Sequence, residues 1–309
     1  MKAVKTYRSN GKLLLTSEYV VLDGAKALAL PTKFGQSLTV EADDSENIKW
    51  KSYNDLGKVW FEDEISIDDI KIHAHKSQSR NEISDRLIQI LRAARELNSE
   101  FLINNHGYTV TTRQNFNRLW GLGTSSTLIN NISNWAKVDA YQLLEKTFSG
   151  SGYDIACAQN DAPITFLLKS DCSKIVLPID FNPKFKNQLY FVYLNQKQNS
   201  RDGIAAYRDL GKIDQTIIND ISGITEGIIA SKWLSEFNKL IDRHETIISR
   251  LIGQETVKSR LFNDYDGSVK SLGAWGGDFV VATSEVDPTS YFKSKGFKTI
   301  LPFDEMILV

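Results

Sequence analysis

Residues Gly121-Leu122-Gly123-Thr124-Ser125-Ser126 constrain this chain more than any other stretch. Two glycines permit positive φ and close backbone approach to a ligand without a Cβ penalty. Three hydroxyl residues follow where a helix can start, because Ser and Thr are favoured N-caps. Leu128, Ile129, Ile132, Trp135 and Ala136 then recur at helical spacing, and Tyr108 to Thr112 upstream alternates like a strand. A strand, a glycine turn and a helix N-terminus together present unpaired N–H groups and the positive end of a helix dipole, which suits a phosphate. Hydroxyls beside such a turn can also ligate Mg²⁺. The same residues suit an ordinary loop-to-helix cap. The stretch is neither a Walker A loop nor a dinucleotide fingerprint, whose third glycine is absent.

The 309 residues suffice for two domains and a sizeable core. With 41% hydrophobic and 24% charged residues, the composition is that of a soluble globular protein. A net charge of −1 gives no electrostatic case for nucleic acid or an anionic membrane, so a small-molecule partner is expected. Cys157 and Cys172 are too few for a disulfide framework and read as buried free thiols. The chain opens without an apolar leader, and no run approaches transmembrane length, so a cytoplasmic location is expected. His73, His75, His106 and His244 show no metal-binding spacing; the first two read as an exposed pair on a short extended stretch.

Along the chain, Gly11 to Leu22 reads as a buried strand pair or bent strand, with Asp23-Gly24 as a tight turn. Short strands are expected at Ala27 to Pro31, Ser37 to Val40, Ile48 to Trp50 and Val59 to Phe61. Ile83 to Ala94 keeps helical spacing from a start near Asn81 or Ser84. Tyr141 to Phe148 continues as helix, and Ser149 to Tyr153 forms a second small-residue turn opening another. Later come strands at Ile164, Lys174 and Leu189, several helices between Ala205 and Phe262, and two strands flanking Gly276-Gly277. A final helix near Ser290 to Lys295 and a strand at Thr299 to Pro302 end the chain. Segregated strands and helices argue for α+β.

Three segments occur in a telling order: Gly11-Lys12-Leu13-Leu14-Leu15 with Glu18-Tyr19-Val20-Val21-Leu22, then Gly121 to Ser126, then Gly273-Ala274-Trp275-Gly276-Gly277-Asp278. Together they resemble the three motifs of the GHMP kinase superfamily over essentially the whole chain. Gly150-Ser151-Gly152-Tyr153-Asp154-Ile155-Ala156 is similar to a segment of phosphomevalonate kinases, and Gly-Tyr-Asp-Ile-Ala matches a bacterial subgroup.

The resemblance implies a two-domain α+β GHMP kinase fold. A ribosomal protein S5 domain 2-like N-terminal ATP-binding domain would span residues 1–180, and a ferredoxin-like α+β C-terminal domain residues 181–309. It implies ATP and Mg²⁺ and a mevalonate-pathway acceptor, phosphomevalonate ahead of mevalonate. Homoserine or a sugar, or a catalytically silent nucleotide or metabolite sensor, are the alternatives. The protein would be a monomer or homodimer. Gly121, Leu122, Gly123, Thr124, Ser125 and Ser126 would wrap the ATP phosphates, with Ser125 on the metal. Asp154 would take the acceptor proton or orient the acceptor, and Lys12 would stabilise negative charge. Gly273, Gly276 and Gly277 would support the nucleotide site, while Glu18, Ser151 and Gly152 would face substrate.

Several residues depart from the family pattern. Asn117 to Trp120 replaces the usual proline region, Ser17 replaces a glycine, and Trp275 stands where another glycine is usual. A carboxylate metal ligand has no clear counterpart beyond nearby Glu145. Taken outside the resemblance, Lys12 is a surface lysine beside a strand and Asp154 an acid at a helix start.

Overall fold

The computed structural model describes residues 4–71, 81–104 and 106–309. Its chain forms two compact units, each assembled from several segments. The first comprises Met1–Gly11, Phe34–Arg118 and Gly123–Gln159; the second comprises Lys12–Lys33, Leu119–Leu122 and Asn160–Val309. This division replaces the single cut at residue 180 expected from sequence. The first two strands, β1 (Val4–Leu14) and β2 (Ala27–Ala42), each contribute to both units, so no one boundary can separate them.

In the first unit, β3 (Asn47–Tyr53) and β4 (Val59–Ser66) form a hairpin that ends in α1 (Ile67–Lys71). After α2 (Glu82–Leu97) comes β5 (Tyr108–Gln114), which runs parallel to β3, with Trp50 opposite Val110. It runs antiparallel to the second half of β2, with Val40 opposite Val110. Asn81 caps α2 by accepting the N–H groups of Ile83 and Ser84, as its sequence position predicts. Three helices follow: α3 (Thr124–Ala136), α4 (Ala140–Thr147) and α5 (Tyr153–Gln159). Leu38, Trp50, Leu91, Ile129, Ile132 and Ile155 are among the side chains that pack sheet against helices.

In the second unit the first half of β2 pairs with β6 (Ile164–Leu168), which forms a hairpin with β7 (Lys174–Pro178). The chain continues through β8 (Leu189–Tyr193), α6 (Ser200–Arg208), α7 (Gln215–Ala230), α8 (Leu234–Ile252) and α9 (Val257–Leu261). It closes with β9 (Val269–Leu272), β10 (Phe279–Thr283), α10 (Thr289–Ser294), β11 (Ile300–Pro302) and α11 (Phe303–Met306). The antiparallel order β11-β8-β10-β9 gives a four-stranded sheet. The isoleucine row of α7 buries Ile218, Ile221, Ile224 and Ile228, as helical spacing requires.

Two strand expectations change. Leu15 to Leu22 is not extended: the chain leaves β1 through Ser17 at φ 71° and Tyr19 at φ 63° into a single 3-10 turn at Val20–Asp23. Side chains hold this bend, since the Ser17 N–H donates to His244 Nε2 at 2.8 Å and Ser17 Oγ to the Lys26 carbonyl at 2.7 Å. The two short runs around Pro31 fuse into the 16-residue strand β2. Neither cysteine is in a disulfide, and only Cys157 is buried; Cys172 is exposed, at φ 63°, in the turn between β6 and β7. His73 and His75 lie outside the described residues. No helix among the described residues is long and apolar enough to cross a membrane.

Candidate active site

The first unit contributes a helix N-terminus whose donors no side chain caps. Gly123, at φ 92°, is the N-cap of α3, and none of the following hydroxyls bonds back to a free N–H. Ser126 Oγ and Thr127 Oγ1 instead donate to the Gly123 carbonyl, and Thr124 Oγ1 accepts from Gln114 Nε2 at 2.9 Å. Ser125 is exposed and the first turn holds no acid. The cap reading of these hydroxyls is therefore replaced by one in which the helix start keeps its N–H groups and positive dipole end available.

A buried amide network fixes that helix. Asn131 Nδ2 donates to the Gln36 carbonyl at 3.0 Å, and Asn131 Oδ1 accepts from Ser9 Oγ at 2.8 Å. Asn130 Nδ2 donates to Ser9 Oγ at 2.9 Å and Asn130 Oδ1 accepts from Gln159 Nε2 at 3.0 Å, tying α3 to β1 and α5. The network thus places α5, and with it half-buried Asp154 in its first turn, against α3. Asp154 Oδ1 accepts the Ile155 N–H at 3.1 Å, and its charge helps burial push the Tyr141 phenol up to about 12. Ser151 and Gly152 (φ 90°) are buried just before α5. Glu145 lies exposed on α4. Hollows of about 290 and 340 Å³ elsewhere in this unit, the larger lined by Tyr7, Tyr108 and Trp135, include none of these residues.

The second unit gathers the remaining motif residues. The Lys12 N–H donates to the Leu122 carbonyl at 3.0 Å, which anchors the start of the glycine turn to the end of β1. A Cβ on Gly273 (φ 74°) would lie 3.9 Å from Lys12 Nζ. Gly121, at φ 67°, sits so close to Asp278 that a Cβ there would overlap the Asp278 carboxylate. Gly121→Ala is therefore expected to cost more than the ~1–2 kcal/mol of a left-handed non-glycine residue, read as a lower urea midpoint. A midpoint equal to that of the parent would contradict the contact.

Solved structures share this arrangement of strands and helices over nearly the whole chain. Mevalonate kinase from Methanococcus jannaschii superposes with a TM-score of 0.73 at 15% identity, covering 99% of both chains. Streptococcus pneumoniae phosphomevalonate kinase, in complex with phosphomevalonate and AMPPNP, gives 0.69 at 14% identity, covering 99% of this chain and 98% of that one. Lactococcus lactis galactokinase, complexed with galactose, gives 0.67 at 12% identity, covering 94% and 88%. The chain has the GHMP kinase fold. No family model matches the sequence, and no curated protein matches it.

On this GHMP kinase fold, Glu18 takes a place its motif did not foretell. It was expected to face substrate, yet it is 1% exposed and its Oε1 forms an ion pair with Lys270, itself fully buried. Burial pushes the Glu18 carboxyl up to about 6, although Lys270 opposes the shift. Glu245 Oε1 lies 3.6 Å from the same ammonium, and burial raises its carboxyl to about 8. His244 Nε2 is 3.4 Å from Glu18 Oε2 and accepts the Ser17 N–H, so its ring proton belongs on Nδ1. Burial holds this imidazole neutral, well below its usual range, and Lys270 adds to the effect. Glu18 Oε2, Glu245 Oε1 and His244 Nδ1 are buried without a hydrogen-bond partner.

Sequence reasoning missed Lys270, Glu245 and His244 in this role, and it gave Asp278 no task. Trp275, which stands where another glycine was expected, is 4% exposed, and its backbone N–H donates to Tyr19 Oη at 3.1 Å. The ring of Tyr19 stacks on Tyr207 at 5.6 Å.

Proposed function

We propose that this chain is an ATP-dependent small-molecule kinase of the GHMP superfamily. It would transfer the γ-phosphoryl group of MgATP to a mevalonate-pathway acceptor, phosphomevalonate ahead of mevalonate. The observation that carries this reading is the uncapped N-terminus of α3, with Ser125 exposed and no acid in its first turn. Backbone N–H groups there would hold phosphate oxygens, and the helix dipole favours their charge. The name of the Streptococcus pneumoniae relative pairs this fold with AMPPNP, an ATP analogue.

Phosphoryl transfer depends on in-line positioning and on stabilising charge more than on covalent help. Lys12 would hold negative charge on the transferred group. Asp154 would accept the proton of an acceptor hydroxyl as the new O–P bond forms and the bond to ADP breaks. With a phosphate as acceptor there is little proton to remove, and Asp154 would orient. Magnesium enters with the nucleotide as part of the substrate. Ser125 and the nucleotide's own phosphates would supply its ligands.

An ADP-release assay against mevalonate, phosphomevalonate, homoserine and galactose tests the proposal. Turnover of one acceptor is expected. ATP binding without turnover of any acceptor would favour a silent sensor. Ser125→Ala should raise the Mg²⁺ concentration needed for half-maximal rate several-fold; an unchanged magnesium dependence would remove Ser125 from the metal.

A further inference from the structure

Helix α6 rests on the body of the second unit through few side chains. Of its nine residues only Tyr207 is buried, whereas α7 buries Ile218, Ile221, Ile224, Thr225 and Ile228. Both approaches to α6 are anchored. Upstream, the Gln196 carbonyl accepts the Asp278 N–H at 2.7 Å, and the Gln198 N–H donates to Asp278 Oδ1 at 3.1 Å. Downstream, exposed Gly211 takes φ 77° and Ile213 is buried again. Between these points a small polar latch holds the helix. Tyr207 Oη donates to Asp23 Oδ2 at 2.6 Å, and exposed Arg208 pairs with Asp23 Oδ1 at 3.3 Å. Burial and the Asp23 acceptor push the Tyr207 phenol far above its usual range, so it keeps the proton it donates.

Next to the latch lies a strained residue. Tyr19 has φ 63° and ψ −52°, and the Val20 N–H donates to the Glu18 carbonyl at 2.8 Å. Tyr19 is therefore the centre of a γ-turn of the rare, strained hand. A bulky residue keeps such a backbone only where its surroundings hold it, and strain of this kind gathers at clamps and switches. Here the holding contacts come from two sides. The ring stacks on Tyr207 at 5.6 Å with 21° between the planes, and Tyr19 Oη accepts the Trp275 N–H at 3.1 Å within the Gly273–Gly277 turn. Gly203 of α6 lies over the same hydroxyl, where a Cβ would come 2.7 Å from Tyr19 Oη. One phenol thus touches both the helix and the turn.

We infer that α6 is a hinged cover: it swings between its two anchored ends, the Tyr207–Asp23 bond latches it shut, and Tyr19 transmits its position to the Gly273–Gly277 turn. Opening costs one ring stack and one charge-assisted hydrogen bond, and it lets Tyr19 leave its strained backbone, which offsets part of that cost. A small difference between closed and open states is what an element that moves during a reaction cycle needs. The inference rests on the kinase reading for what passes beneath the cover, since that reading sets the turn beside the nucleotide. The latch itself stands on the geometry of the second unit.

Hydrogen exchange of the full chain, followed by mass spectrometry, tests the cover. In the parent, peptides from α6 should exchange at least about tenfold faster than those from α7. Tyr207→Phe keeps the ring stack and removes the bond to Asp23. It should speed exchange about a further tenfold in α6 and several-fold in the Gly273–Asp278 peptide, with α7 and α8 within about twofold. Asp23→Ala removes the same bond from the other side and serves if Tyr207→Phe does not fold. MgAMPPNP with phosphomevalonate should slow α6 exchange in the parent at least about fivefold. Unchanged exchange in the variants, equal acceleration in α7 and α8, or acceleration in α6 with the turn unmoved would overturn the cover. Ligands that bind yet leave α6 exchange unaltered would overturn it too, with the kinase reading intact. If no acceptor turns over, the kinase reading fails on its own, and the exchange pattern of the variants decides the cover.

Discussion

Lys270→Met is expected to destabilise the second unit by about 3–5 kcal/mol at neutral pH, because it strands the buried Glu18 carboxylate without its cation. Glu18 and Glu245 are 1% and 2% exposed, and Lys270 is the positive group placed against both. Urea unfolding followed by circular dichroism reads the effect. The triple variant Lys270→Met, Glu18→Gln, Glu245→Gln should recover much of the loss, since amides need no counter-charge. A single variant as stable as the parent would mean that the cluster bears no net charge to neutralise.

The same cluster predicts how stability varies with pH. Glu18 and Glu245 have folded values raised by burial to about 6 and about 8, so the folded state keeps protons that the unfolded chain releases near 4.5. Their contribution is fully present below about 4.5 and is lost as pH rises to about 8. His244 works in the opposite sense: its folded value is depressed, so its contribution is present above 6.5 and lost as pH falls below it. Glu245→Gln should therefore flatten the decline between pH 4.5 and 8 and leave the slope below about 4.5 unchanged. An unaltered slope over that window would remove Glu245 as its source.

Asp154→Asn is expected to lower turnover by roughly 10²-fold or more, with little change in ATP affinity. Asparagine keeps the shape and can still accept the Ile155 N–H, so the start of α5 should survive. Only the capacity to take a proton and the negative charge are lost. An alcohol acceptor has a proton to lose and a phosphate acceptor has little, so the larger drop should be seen with mevalonate. Undiminished turnover with both acceptors would take Asp154 out of the reaction.

Local patterns carried much of this molecule in its sequence. The apolar spacing of α2, α3 and α7, the Asn81 cap and the turn before Tyr153 are written within windows of a few residues, and they match the fold. Gly121 announced its positive φ in the same way. Leu15 to Leu22 misled because Ser17 and Tyr19 take positive φ without being glycines, held there by partners as remote as His244. Lys270 and Glu18 stand 252 positions apart, and no periodicity links an ion pair at that separation. Pro31 read as a strand end although β2 runs through it, and the pairing that carries the chain onward belongs to other strands. The phosphate-suited turn was legible as a shape, whereas the Asp278 carboxylate packed against Gly121 comes from a segment more than 150 residues away.

The two thiols divide the molecule for an experimenter. Cys172 sits in an exposed hairpin turn of the second unit, and Cys157 is enclosed in α5 of the first. A chromogenic disulfide reagent should therefore modify Cys172 at once and Cys157 only when the first unit opens. The slow phase of one colour change then clocks the opening of the unit that holds α3, and a dye on Cys172 supplies a single optical label without engineering.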